Sequence, residues 1–433
     1  MAGVRVALAA TAALLFAAPA VAAPGDLDAG FSGDGWVRTL EVQNDTNNFL
    51  PEGAEDIALQ PYGKIVAVGE IQDGSSDWYF GVFRYLPNGD LDPSFGDGGW
   101  VATDLGAFAS AHAVAVQENG MIVVAGEALC PSAICFTLAR YKTDGSLDSG
   151  FGGDGVVRTM FGQCGCAAYD VALQSNGRIT AVGYRFRYGD HQDDRLFAIA
   201  RYLADGRLDR TFSGDGRAFI DFGYGDDIAS AVALQADGKI VVAGRGTKNL
   251  YLTKDDFAFA RFRSNGTLDP TFSGDGLRTV HFGSNRSEGV QAMDIQHNGR
   301  IVVAGSSGPR PRMALARLNG SGGLDESFGS NGRQLTRPTS YGGYAFGIAQ
   351  HPDGRIIVGG RGFTDAARDS SDWILARYQR NGTLDTSFGG GIVRTNFGTG
   401  SDWAGELAIQ ADGKIVGGGS IYESLALARY LPD

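Results

Sequence analysis

Three carboxylates stand at one position of a repeated phrase. Asp56, Asp170 and Glu406 each lie four residues before the glutamine that closes a short apolar run. Grouped round an axis, three carboxylates can hold a cation or exchange protons with a substrate. Of the five histidines, His297 and His351 fall at tight turns and His281 in a strand. Only His112, near the start of one such run, and His191, in a long loop, can share a face with the carboxylates. Asp56, His112, Asp170 and Glu406 are therefore the candidate acid–base group. No G-x-S-x-G, H-E-x-x-H, P-loop or dinucleotide-binding glycine pattern stands in a suitable setting. No residue is assigned a catalytic role, and no cofactor is indicated.

A second series of carboxylates belongs to the phrase LDxxF, which occurs seven times with its Asp at 28, 92, 148, 209, 269, 325 and 385. Some copies carry another Asp six residues on, as Asp154 follows Asp148. A calcium loop needs about six to eight oxygens in close order. Two carboxylates separated by a phenylalanine supply too few, and the copy LDTSFGGG lacks the second, so no metal site is assigned. An arginine series offers a structural partner instead. Arg84, Arg140, Arg201, Arg261, Arg317 and Arg377 each precede an LDxxF aspartate by eight residues, pairing with Asp92, Asp148, Asp209, Asp269, Asp325 and Asp385. In F-x-L-x-R the Arg shares a strand face with Phe and Leu, which draws its guanidinium inward. A buried guanidinium must be paired, and a carboxylate can take it with two parallel hydrogen bonds. Each Arg is expected to clamp its turn through its Asp, with Arg429 and Asp28 forming the seventh pair across the chain ends.

These residues sit in an internal repeat. A phrase close to ALQxDGKIVVAG also occurs seven times, with turn glycines at 63, 120, 177, 238, 299, 354 and 413. Each unit reads as four strands. In the first complete unit they are A (55–60), B (64–70), C (80–86) and D (100–105). The A–B connection is three residues ending in Gly, a common hairpin loop. Phrases B and C are apolar on both faces, as sheets sandwiched between neighbours require. An open solenoid would need capping units. None is visible, and the terminal fragments are complementary: residues 24–40 read as a turn and strand D, and residues 404–431 as strands A, B and C. The expected architecture is all-β: a seven-bladed propeller with four antiparallel strands per blade, closed by an N-terminal strand D joining C-terminal strands A–C.

LQADGKIVVAG (Leu234–Gly244), FAFARF (Phe257–Phe262) and GTLDPTFSGDG (Gly266–Gly276) carry a resemblance to the delta-60 repeat family of bacterial β-propeller proteins. It spans residues 24–433. It implies a propeller fold and an exported location; the family has no shared catalytic motif to carry over.

Residues 1–22 read as a secretory signal peptide: Arg5, an apolar stretch over 6–19, and an Ala20-Val21-Ala22 cleavage site. Residues 23–433 then form a single propeller domain, expected to be a secreted or periplasmic monomer with no membrane span. Cleavage removes Arg5 and no acidic residue, which moves the formal charge from −12 to −13. An acidic chain without a basic block is a poor partner for nucleic acid.

Export favours disulfides over thiols for Cys130, Cys135, Cys164 and Cys166. Four cysteines allow three pairings. Cys130 and Cys135 lie in the B–C loop of blade two, and Cys164 and Cys166 in the D–A loop that follows. Both loops emerge on one face, and strands C and D are neighbours. Cys135–Cys164 with Cys130–Cys166 is the favoured pairing. The B–C and D–A loops also vary most from unit to unit, so individual recognition can be written only there. The longest, over 40–53, 184–195, 245–256 and 361–372, carry or adjoin Tyr184, Phe186, Tyr188, Tyr251, Phe363 and Trp403. Aromatics mixed with Arg and Asp suit a protein or glycan partner. The function expected is a non-catalytic binding scaffold using this face. The alternative is a hydrolase or lyase with an acidic site at the channel mouth.

Overall fold

Each β-rich run between glycine turns must pair its backbone with a neighbour, and the nearest neighbour in a short repeat is the next run. The result, in a computed structural model describing residues 22–43, 48–74, 77–162, 165–187, 194–247, 255–283, 287–398 and 400–432, is a seven-bladed β-propeller. Blade two is representative, with strand A at Ala109–Val116, B at Ile122–Leu129, C at Ile134–Tyr141 and D at Val156–Thr159. Strands A line the axis and contact one another round the ring. Hydrophobic residues of strands B and C are buried between successive blades. Blade seven takes strands A–C from Asp402–Ile409, Ile415–Ile421 and Ser424–Tyr430, and strand D from Trp36–Thr39. There Trp36 lies opposite Ala428 and Thr39 opposite Leu425.

Blade one departs from the pattern. Its strand A is only Asp56–Leu59, while strand B runs over Ile65–Asp73. The end of strand B would present an unpaired edge. Part of the segment expected to be a loop over 40–53 covers it, with strands Val42–Gln43 and Asn48–Pro51, the latter pairing Phe49 with Asp73 and Pro51 with Ile71. Phe49 anchors this hairpin, its ring 5.4 Å from Tyr79 and 5.2 Å from Trp100.

The seven strand C arginines and LDxxF aspartates meet one for one. Arg84 Nε donates to Asp92 Oδ2 at 2.8 Å, and Arg140 and Arg377 reach Asp148 and Asp385 at 2.7 Å. Arg201–Asp209 lies at 2.9 Å, Arg317–Asp325 at 2.8 Å and Arg261–Asp269 at 3.0 Å. Across the chain ends, Arg429 Nε donates to Asp28 at 2.7 Å. Each guanidinium also lies over the LDxxF phenylalanine, at 4.5 Å for Phe95 and 4.8 Å for Phe31. Nη1 then donates to a carbonyl of the following blade: Thr143 from Arg84, Ala204 from Arg140, and Pro87 from Arg429. The phenylalanine presses on the next blade's turn glycine. At Gly382, with φ +84, a Cβ would lie 2.8 Å from Phe328, so both the conformation and the space exclude a side chain.

The disulfide differs from the favoured pairing. Cys130 is bonded to Cys135, and Cys166 is a free, buried thiol at the start of strand A in blade three. Cys130–Cys166 is thereby excluded, and with Cys135 taken Cys135–Cys164 is too. The cause is the tightness of the B–C hairpin. Ile134 pairs with Leu129, and Cys130 N–H donates to Ala133 O at 2.9 Å, so the two Cα atoms lie 6.1 Å apart, within bridging range. Cys164, Tyr188, His191, Tyr251 and residues 1–21 lie outside the described residues. His281 follows the strand D that ends at Val280 rather than lying in it.

Two predictions follow from this architecture. Asp209→Ala strands the buried Arg201 and is expected to cost roughly 3–5 kcal/mol in urea unfolding; an unchanged midpoint would refute the clamp. Burial alone would raise the Asp209 carboxyl, but bonds from Thr211 and Arg178 and the charge of Arg201 bring it down to about 2. Its contribution is thus present above about pH 4 and lost as pH falls toward 2, a loss the Ala variant should not show. Non-reducing peptide mapping should join Cys130 to Cys135 and find Cys166 alkylated only after unfolding; a peptide containing Cys166 in disulfide linkage is the contrary result.

Candidate functional site

Strand A carries a β-bulge at the same place in six blades. The register slips between Ala111 and Ala113, Ala168 and Asp170, Ala229 and Ala231, Val290 and Ala292, Ala345 and Gly347, and Ala404 and Leu407. A bulge places two residues opposite one and re-aims a side chain. The residue at the slip and its neighbours therefore face the axis. They line a funnel of about 930 Å³ that includes Glu55, His112, Tyr169, Ser230, Gln291 and Phe346. Arg245, Asp255, Ser306 and Arg361, from the ends of strands B and the loops beyond, also line it, so it opens on the variable face.

Asp56, His112, Asp170 and Glu406 all line this funnel. The three carboxylates are held by backbone amides. Asp56 accepts from Ile57 N–H at 2.6 Å and from Val114 N–H of blade two at 2.7 Å. Asp170 accepts from Val171 and, in blade four, Val232, both at 2.6 Å. Glu406 has the longer side chain and reaches backward, to Leu407 at 3.2 Å and Ile348 of blade six at 3.4 Å. Each carboxylate thus bridges two neighbouring inner strands. Among the described residues, no group of three or more His, Cys, Asp or Glu side chains is arranged to hold a metal ion.

Burial raises the Asp170 carboxyl to about 7, against the pull of its two amide bonds. Burial also raises Asp56 and Glu406. Repulsion from Asp170 adds to the shift of Asp56, and repulsion from Asp56 and Asp170 to that of Glu406. All three are half-buried, so water in the funnel screens part of the effect. His112 Nε2 lies 3.7 Å from Glu127, and its ring is 5.0 Å from Tyr169.

The expected recognition aromatics divide. Trp403 is not in a loop; it stands on strand A of blade seven and lines the funnel. Tyr184 and Phe363 are buried at the ends of strands B, 7% and 4% exposed. Tyr184 backs Tyr169, with ring centroids 5.7 Å apart, and packs against Phe186. Phe363 lies beneath Arg361. These three support the lining instead of forming it. Tyr169, Tyr344, Phe346, Ser230, Gln291, Arg245 and Arg361 were not singled out from sequence. The signal was present: the residue after a small residue (Ala, or Val290) in each strand A differs in every repeat, running Glu55, His112, Tyr169, Ser230, Gln291, Phe346 and Gly405.

The raised carboxyls make a testable statement about stability. Between about pH 4 and 7 the folded chain retains a proton on Asp170 that the unfolded chain has lost, so this group makes stability fall as pH rises through that window. Asp170→Asn should flatten that slope in denaturant melts taken from pH 4 to 8. An identical slope in both proteins would show that Asp170 titrates normally.

A family profile described as "Domain of unknown function (DUF5122) beta-propeller" matches residues 60–95, 117–151, 174–212, 235–272, 296–328, 351–388 and 410–433. No curated protein matches the sequence. Among solved structures, a protein of unknown function from Dyadobacter fermentans is 11% identical over 92% of this chain and 100% of its own, with a TM-score of 0.47. YCF48 from Cyanidioschyzon merolae is 10% identical over 91% of this chain and 98% of its own, at 0.46. A polysaccharide lyase described as PL25 ulvan lyase is 12% identical over 92% and 94%, at 0.47. Likenesses this distant assign no activity. Matched in all seven repeats and folded as seven blades, the chain belongs to the DUF5122 β-propeller family.

Proposed function

We propose that this protein is an exported, non-catalytic β-propeller that binds a protein or glycan partner through its variable B–C and D–A loop face, with the axial funnel at the centre of the contact. One observation carries the reading. The funnel opens on that face and presents aromatic, amide and hydroxyl side chains from most blades, while the carboxylates beneath are engaged by backbone amides as bridges between strands. A concave site of this volume with a few polar groups among aromatics is a usual ligand pocket. Export is supported by the leader-like residues 1–22, by the likeness of the repeat phrases to the delta-60 family, and by the Cys130–Cys135 disulfide.

A second reading has its own observation. Asp170, raised to about 7, shares the funnel with His112, and a carboxyl half-protonated near neutral pH suits general acid chemistry. It would make the protein a glycan hydrolase or lyase.

Trp403→Ala should weaken capture on a glycan array or in pull-down from the producing cell's surface by roughly tenfold or more, with the strand signature of circular dichroism retained. Unchanged capture by the Trp403 variant would sink the binding reading. Release of shortened or unsaturated sugar products by the wild type, abolished in Asp170→Asn, would establish the second.

A further inference from the structure

The charges round the funnel are unevenly placed. In each strand B the residue after a central glycine stands near the mouth. On blades one and two it is Glu70 and Glu127, and on blades four and six it is Arg245 and Arg361. Arg245 has partners beside it, 3.8 Å away at Asp226 and 4.0 Å away at Asp255. Arg361 differs. Among the described residues no carboxylate lies within ion-pair distance of it, and its Nε has no hydrogen-bond partner. Its surroundings are aromatic, with the rings of Tyr344, Phe346 and Phe363 at 5.1, 5.7 and 5.2 Å. Rings cover the faces of a guanidinium and leave the edge at which it hydrogen-bonds. Burial lowers the Arg361 pKa from its ordinary value, with Tyr344 pulling the other way, and an arginine keeps its proton at neutral pH. A half-buried guanidinium that lines an open funnel, with unused donors and no counter-charge, is a place for an anionic group.

The acids of the funnel do not oppose this. Burial raises Asp56, Asp170 and Glu406, and Glu55 with them, toward their neutral forms. The first three are also bonded to backbone amides and lie deeper than Arg361. Strand A runs inward from the variable face. In blade six Tyr344 lies opposite Arg361, and in blade seven Trp403 holds the same place, opposite Ser420. Phe346 comes two residues further in, and Glu406 stands three residues beyond Trp403. Arg361 therefore shares an outer tier with Tyr344 and Trp403, and the bridging carboxyls form an inner one. Tyr344 lies 6.1 Å from Phe346, and Phe346 5.8 Å from Trp403, which makes a continuous aromatic wall beside Arg361. This order discriminates between ligands. A polypeptide entering by its C-terminus carries its carboxylate at the tip, and entry takes that charge past Arg361 to the inner tier. A uronic acid carries its carboxylate at the edge of a pyranose ring. With a C–H face of the ring against the aromatic wall, the carboxylate stays at the height of Arg361, and the ring hydroxyls can meet Gln291 and Ser306 of the neighbouring blade.

We propose that the funnel binds an acidic glycan, taking the carboxylate of a uronic acid residue on Arg361 and its ring on the Tyr344–Phe346–Trp403 wall. This rests on the binding reading above and narrows it to one ligand class. The test is calorimetry of the mature full-length protein with tetrasaccharides of galacturonate, glucuronate, mannuronate and guluronate, each as the free acid and as its methyl ester. The ester keeps the sugar and its linkage and removes the charge. At least one acid should bind, and its ester at least about tenfold more weakly. Arg361→Gln should bind acid and ester about equally, whereas Trp403→Ala should weaken both forms. An ester that binds as tightly as its acid, or more tightly, overturns the inference and leaves glycan binding standing; this comparison uses the wild type and depends on no variant's folding. An Arg361→Gln protein that keeps the preference for the acid overturns it as well. Capture of a protein partner through Trp403, with no tetramer bound in either form, overturns the glycan assignment alone; capture of nothing at all removes the reading on which it rests.

Discussion

Everything in this ring depends on the strand C arginine. It sits where two sheets are pressed together, 2–8% exposed in the seven copies, and a guanidinium there must be fully paired. Three partners share the task. The LDxxF aspartate takes Nε, the LDxxF phenylalanine takes the flat face, and a carbonyl of the next blade takes Nη1. The first two close the arginine's own C–D turn. The third joins that turn to its neighbour. Blade packing is otherwise apolar and non-directional, so this bond fixes the rotation of one blade on the next. Repeated seven times, with Arg429 meeting Asp28 and then Pro87 O, it leaves no open seam.

That division of labour frees the other face. Where turns repeat, their residues are held by the clamp and by φ-positive glycines, and substitution there is paid in stability. The B–C and D–A loops carry no such requirement. Even so, several acids near the start of strand A serve structure. Asp227 accepts from Phe222 N–H and Thr247 N–H, and Glu288 accepts from Phe282 N–H and Ser307 Oγ. Both tie the D–A loop to strand B. A carboxylate near the mouth is therefore not by itself a reactive one, which is why the lining, taken whole, carries more weight than its acids.

Much of this was legible in the sequence because the informative relations are short. The Arg-to-Asp spacing of eight spans one hairpin; the turn glycines mark each A–B loop; the equivalence of Asp56, Asp170 and Glu406 follows from aligning repeats. What was not legible depends on distant partners or on small shifts of register. The hairpin over 42–51 exists because strand B of blade one outruns its strand A, a mismatch that appears only once both are paired. The bulge turns Tyr169 toward the axis without a glycine or proline to announce it. Tyr184 and Phe363 stand at loop edges in sequence, yet the strands continue through them and bury their rings. Cys130 meets Cys135 because four intervening residues close tightly, a local geometry that the argument from strand adjacency overlooked.

The unevenness of the funnel has an arithmetic cause. Each bridging carboxylate serves two inner amides, its own blade's and a neighbour's: Asp56 joins blades one and two, Asp170 three and four, Glu406 six and seven. Seven is odd, so one blade must be left out, and it is blade five. Its residue at the carboxylate position is Ala292, and those of blades four and six are Ala231 and Gly347. Gln296 N–H donates to Arg300 O at the blade five hairpin, so by the alternation of an antiparallel ladder Met293 is a non-bonded position and aims its N–H toward the axis. In the other six blades the equivalent amide meets a carboxylate. Blade five thus aims a backbone donor at the funnel beside Gln291, where the other blades engage theirs with carboxylates.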